Sequence, residues 1–148
     1  MNNAKTLTSE FVAQLNQAAD AEEFSFPLVA QQNFDQRSNF FPRVVVRQVT
    51  NRPRTIVPAD QRSDKEIATS VGYQIEIYTQ DTLDHEGVAY DKLDVGETLS
   101  NELIEWFWDV KGLPRTTWSP SSWVDDSTAR TVFRVNGVVD KHGYIYRS

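Results

Sequence analysis

Cysteine is absent from the 148 residues. That absence excludes a disulfide scaffold, a thiolate metal site and a cysteine nucleophile, and it fits a reducing compartment. No apolar run approaches the ~18 residues of a membrane-crossing helix. The opening residues, Met1-Asn2-Asn3-Ala4-Lys5, lack the apolar stretch of a signal peptide, so the expectation is a chain that is cytosolic where it is made. There is no Gly-rich phosphate loop, no nucleophile elbow and no kinase signature. Internal repeats, low-complexity stretches and a second domain are also missing, which leaves one domain over residues 1–148.

What is present suffices for a core. A chain of this length buries roughly 68–70% of its unfolded surface without metal or disulfide staples. Apolar residues make up 39%, with 4 Trp, 5 Tyr and 8 Phe, which argues against disorder. Net charge is −6, but its distribution says more than its sum. From Arg37 to Lys65, Arg37, Arg43, Arg47, Arg52, Arg54, Arg62 and Lys65 face only Asp60 and Asp64, a local excess of five positive charges. From Glu76 to Asp109, ten acids face only Lys92, a local excess of nine negative charges. Such stretches either form complementary surfaces for head-to-tail contact between identical chains or neutralise each other within one chain.

The hydrophobic pattern predicts two helices and several strands. Phe11, Val12, Leu15 and Ala18/Ala19 recur at helical spacing over Thr8–Ala21, with Thr8 or Ser9 as cap. Phe24–Phe34 reads as extended, with Pro27 keeping it out of a central strand. Pro42–Thr50 is a β-branched strand with valine on both faces, broken by Asn51-Arg52-Pro53. Residues 51–65 read as a long polar loop. In the next strand, Ile67–Thr79, Val71, Tyr73, Ile75 and Ile77 alternate with Gly72, Gln74, Glu76 and Tyr78. The two strands make a long hairpin whose tip carries Arg52, Arg54 and Arg62.

Asp81–Asp109 turns helical, with an apolar stripe of Leu99, Leu103, Trp106, Phe107 and Val110. Gly112-Leu113-Pro114 ends that helix. Residues 115–127 read as a Trp/Ser/Pro loop. Thr128–Val139 is a strand with Thr131, Phe133 and Val135 on one face and Val132 and Arg134 on the other; Gly137 marks a bulge or its end. Asp140-Lys141-His142-Gly143 is a turn into a final short strand, Tyr144–Tyr146. The fold class that follows is α+β: a four- or five-stranded antiparallel or mixed sheet, with two helices packed on one face and a long β-hairpin loop.

Catalytic chemistry has little to stand on. His85 and His142 lie in polar, turn-like stretches, without the partner and pocket that a general base needs. Asp81, Asp84, His85 and Glu86 match neither the EF-hand loop nor a His-Glu-x-x-His helix and read as an acidic helix start. Asp125-Asp126 has the same weakness. The reading assigns no catalytic residue, no metal and no cofactor. Phe40 and Phe41 among the bases of residues 37–65 suit a single-strand platform, whereas a pI near 4.9 runs against a dedicated nucleic-acid binder. Trp106, Trp108, Trp118 and Trp123 cluster beside Phe107, and core plus subunit interface explains them better than a ligand cage. Successive helical residues point about 100° apart, so one stripe cannot hide Trp106, Phe107 and Trp108 together.

Several segments then point to a family. Phe41-Pro42-Arg43-Val44-Val45-Val46, a polar loop, and Tyr73-Gln74-Ile75-Glu76-Ile77-Tyr78-Thr79-Gln80-Asp81 are followed by a helix ending in Gly112-Leu113-Pro114-Arg115. The run Ala129–Asp140 and Tyr144-Ile145-Tyr146-Arg147 complete the pattern. Over most of residues 40–148 the sequence resembles the tail terminator (tail completion) proteins of long-tailed bacteriophages. It departs from them in having Leu113-Pro114 after Gly112, and Asn136 before Gly137.

The resemblance implies a homohexameric ring in the virion neck, assembled in the host cytoplasm, that caps the tail tube, stops its elongation and meets the head connector. On that reading the partners are further copies of the chain, the tail tube protein, a head connector or stopper protein and transiently DNA in the lumen, with no membrane. Arg52, Arg54 and Arg62 are the candidate contacts to tube, lumen or neighbour; Glu105, Trp106 and Trp108 are the candidate subunit interface. A head-side connector or stopper is the alternative in the same setting. An enzyme using carboxylates such as Asp84, Glu86 or Glu105 is the alternative from another class.

Overall fold

A computed structural model of the chain describes residues 3–32, 42–55, 67–80, 83–85, 87–123, 128–140 and 145–146. The first helix, α1, runs Asn3–Asp20 and starts earlier than the capping residues suggested. Thr8 does not cap it. Thr8 is buried, and its hydroxyl bonds the Tyr73 phenol. At the other end the Glu22 and Glu23 N–H groups return to the Ala19 and Ala18 carbonyls, a Schellman motif that puts Glu22 at φ 59°.

Strand β1 (Val29–Gln31) pairs parallel with β2 (Arg43–Thr55), which pairs antiparallel with β3 (Ile67–Gln80). β1 is an edge strand, and α1 closes it. The Asn16 side-chain amide accepts from the Ala30 N–H at 2.8 Å and donates to the Ala30 carbonyl at 3.1 Å, occupying the hydrogen-bonding positions of a further strand. β2 does not break at Asn51-Arg52-Pro53 but continues to Thr55, with Pro53 opposite Thr69. Proline fits because β1 reaches only Val45, so no described strand calls on the other edge of β2 at Pro53. The β2–β3 pairing makes the expected hairpin arms; the connecting residues 56–66, Arg62 among them, lie outside the described residues.

The helix expected from Asp81 begins later. Leu83–His85 (β4) and Val88–Tyr90 (β5) form a small hairpin with Gly87 at φ 79° in its turn. Helix α2 spans Lys92–Lys111, where Asp91 caps the start by accepting from the Leu93 N–H at 2.8 Å. Gly112 ends it at φ 70°, and Gly112 and Leu113 donate to the Trp108 and Phe107 carbonyls.

Residues 115–123, expected as loop, are strand β6 (Arg115–Trp123), paired antiparallel with β7 (Thr128–Asp140). Residues 115–119 are all exposed, so neither face of this edge strand calls for a row of apolar residues. Its register shifts between Ser119 and Ser122, around Pro120, where an edge strand tolerates proline. Gly137 marks neither a bulge nor an end, since it pairs with Val71 inside β7. β8 (Ile145–Tyr146) returns onto β7. The main sheet therefore runs β1-β2-β3-β7-β6 with β8 also on β7, a mixed sheet in an α+β fold.

Both helices lie on one face of this sheet. Phe11 and Leu15 of α1 and Leu99, Leu103 and Phe107 of α2 pack on Val44, Val46, Val71, Tyr73, Ile75, Ile77, Phe133 and Val135. Edge-to-face contacts link the layers: Phe11–Tyr73 at 5.0 Å, Phe11–Phe107 at 5.6 Å and Phe107–Phe133 at 6.1 Å between ring centres. Val110, expected in the α2 stripe, is 57% exposed; Leu113 fills the interior after the chain reverses at Gly112.

Candidate functional site

Alternation along three central strands places a second set of side chains on the sheet face away from the helices. Register aligns them in rows across β2, β3 and β7. Arg43, Tyr78 and Arg130 form one row, Val45, Glu76 and Val132 the next, and Arg47, Gln74 and Arg134 the third. Four arginines thus surround a single carboxylate. Val45 and Arg43 are buried there, so this face is covered in part, as valines on both sides of β2 led one to expect.

Glu76 is 1% exposed. Its Oε1 accepts from the Tyr78 hydroxyl at 2.7 Å and lies 3.1 Å from an Arg130 terminal nitrogen. Oε2 accepts from Gln74 Nε2 at 2.9 Å and pairs with Arg47 Nε at 3.1 Å. Burial pushes the carboxyl pKa up, but the hydrogen bonds from Tyr78 and Gln74 and the charges of Arg130 and Arg47 outweigh it. The result is a carboxyl held below its usual range. Tyr78 moves the other way: burial, then the hydrogen bond to and charge of Glu76, raise its phenol. Arg134 Nε donates to Gln74 Oε1 at 3.0 Å, so Gln74 ties the third row together.

The helix layer carries the opposite sign. Glu10, Asp20, Glu22, Glu23, Asp94, Glu97, Glu105 and Asp109 are all exposed. Lys111 offsets little of this at the surface, because its ammonium lies 5.3 Å from the Phe11 ring and 5.8 Å from the Trp106 ring. Burial there lowers its pKa, and Glu10 opposes the shift. A shallow groove between α2 and β6 is lined by Asn101, Ile104, Glu105, Arg115 and Trp118, with the Trp118 indole donating to Ser100 Oγ at 2.8 Å.

The residues singled out from sequence fall in different places. Arg52 and Arg54 belong to β2, opposite Ser70 and Ala68, and Arg62 is outside the described residues. Trp106 is 9% exposed and packs edge-to-face on Phe107, within its own core. Trp108 is 41% exposed and Glu105 is exposed, on the outer side of α2. His85 and Asp84 belong to β4; Glu86, Asp125, Asp126 and His142 lie outside the described residues. No group of three or more His, Cys, Asp or Glu among the described residues could hold a metal, and no helix among them is long and apolar enough to cross a membrane.

Arg130, Arg134 and the central role of Glu76 escaped the sequence reading. The available signal was the matched alternation Arg43/Val45/Arg47, Gln74/Glu76/Tyr78 and Arg130/Val132/Arg134. Charge sorts by layer and not by chain segment: Glu76, counted with the acidic stretch, sits among the arginines. Comparison with protein-family models and with curated proteins returns no match.

Proposed function

We propose that this chain is a structural, non-enzymatic virion protein of the tail-terminator kind, whose copies join into a ring that caps the tail tube, ends its elongation and meets the head connector. One observation carries the reading: the arginine rows and the exposed carboxylates lie on opposite sides of one two-layer body. Unlike patches on opposite sides cannot both be satisfied by a single two-fold partner. They are satisfied when the sheet side of one copy meets the helix side of the next, a heterologous contact that closes into a ring or runs on as a filament. The resemblance of residues 40–148 to tail terminators selects the ring. In that setting the far end of the β2–β3 hairpin, with Arg52 and Arg54, is the element that reaches the tube, the lumen or a neighbour.

The test is the oligomeric mass in solution together with particle images, followed by addition of the protein to polymerising tail tubes. Closed rings and shortened tubes are expected. A protein that stays monomeric at every concentration, and in tail-tube preparations, overturns the reading. Substituting Arg52 and Arg54 by Ala is expected to impair tube capping; tube length unchanged by the double variant would remove their role.

A further inference from the structure

The third row of the sheet and the outer stripe of α2 match each other residue for residue. Arg47 and Arg134 flank Gln74 in register, so their Cα atoms lie two strand spacings apart, about 10 Å. Both guanidiniums are anchored through Nε, Arg134 on Gln74 at 3.0 Å and Arg47 on Glu76 at 3.1 Å. That anchoring restrains the side chains in advance and leaves both terminal amino groups as donors. Arg47 and Arg134 are exposed, and Val49, Thr117 and Asn136 beside them are exposed as well.

On α2, Glu97, Asn101, Glu105 and Trp108 recur at i, i+4, i+8 and i+11 and are all exposed. At 1.5 Å rise per residue, Glu97 and Glu105 stand about 12 Å apart with Asn101 midway. The row reads cation, amide, cation. The stripe reads anion, amide, anion, at a spacing that flexible side chains can match. One turn beyond Glu105 the stripe ends at Trp108, which is 41% exposed.

We propose that the seam between neighbouring copies is made by the Arg47–Gln74–Arg134 row of one copy docking across the Glu97–Asn101–Glu105–Trp108 stripe of the next. The occupant of each face is a second copy of this chain, because the charge pattern of the row is complemented by the chain's own helix. The proposal rests on the ring reading and specifies the surfaces that the ring uses. Glu105 also lines the groove beside Arg115, so the test reverses Glu97 together with it.

The experiment uses Arg134→Glu and, separately, the double variant Glu97→Arg/Glu105→Arg, with mass measured by light scattering over a concentration series. Each variant alone is expected to be monomeric. An equimolar mixture is expected to form a heterodimer and stop there, because one intact seam survives between an unaltered stripe and an unaltered row. Arg134→Gln, which removes the charge without reversing it, is expected to weaken association about tenfold. Raised salt is expected to weaken the wild type. Thermal unfolding checks that these exposed substitutions leave the fold intact. Variants that assemble like the wild type place the seam elsewhere and leave the ring reading standing. A mixture that stays monomeric overturns the head-to-tail seam. A monomeric wild type overturns both.

Discussion

Glu76 is a buried carboxylate beside two arginines that stay partly in water. Arg47 and Arg130 retain 49% and 37% side-chain exposure, so the ion pairs are screened on one side and count for less than fully buried pairs. The hydrogen bonds from Gln74 and Tyr78 anchor the carboxylate inside. Replacing Glu76 by Gln is expected to lower stability by about 1–3 kcal/mol, measured by urea unfolding near neutral pH. The difference between wild type and variant depends on pH. The folded pKa is depressed, so the unfolded chain takes up its proton first as pH falls. The contribution is therefore present above the ordinary value of 4.5 and is lost as pH drops below it toward the folded value. Unfolding curves from pH 7 down to about 3 are expected to converge for the two proteins. That Glu76 lies away from the helix-packed face was legible in the alternation of β3. That it meets Arg130, 54 residues away, was not.

At the scale of elements, helix ends test the local rules. Asp91→Ala removes the side-chain acceptor of the Leu93 N–H and is expected to cost about 1 kcal/mol. Gly112→Ala forces a side chain into a left-handed residue at φ 70° and is expected to cost about as much. Glu22 sits in the same conformation without being glycine, so Glu22→Gly is expected to leave stability unchanged or raise it by a few tenths of a kcal/mol. The three midpoints in urea, read against wild type, check all of these. The Gly112 stop was legible because glycine followed by proline is a local signal. The start of α2 was misread because acidic residues favour a helix N-terminus and loops alike, and only the Asp91 side chain shows where the helix begins. β6 hid for a different reason. Its Trp, Ser and Pro residues carry no period, and its strand character comes from pairing with β7.

For the whole molecule, β7 has β3 on one edge and β6 and β8 on the other, and β3 has β2 on one edge and β7 on the other. The β3 residues Val71, Tyr73, Ile75 and Ile77 sit in the core under both helices. Amide hydrogens over 71–77 and 131–135 are therefore expected to exchange last, close to the global unfolding free energy. Those of β1 and of the β4–β5 hairpin are expected to exchange far sooner. Hydrogen-exchange mass spectrometry reads the order directly. Faster exchange in β3 than in β1 would contradict this account of what holds the sheet together.

The sequence by itself determined the α+β class, the helical stripes of Phe11/Leu15 and Leu99/Leu103/Phe107, and the two-faced character of β2, β3 and β7. Side-chain direction follows from backbone period, so such facts are local. Only the tertiary structure decided which strands lie beside which, and hence that Arg47, Gln74 and Arg134 form one row although Gln74 and Arg134 are 60 residues apart. It also decided that charge divides between layers. Pairing and register depend on distant segments burying their apolar faces together, and no local pattern encodes that choice.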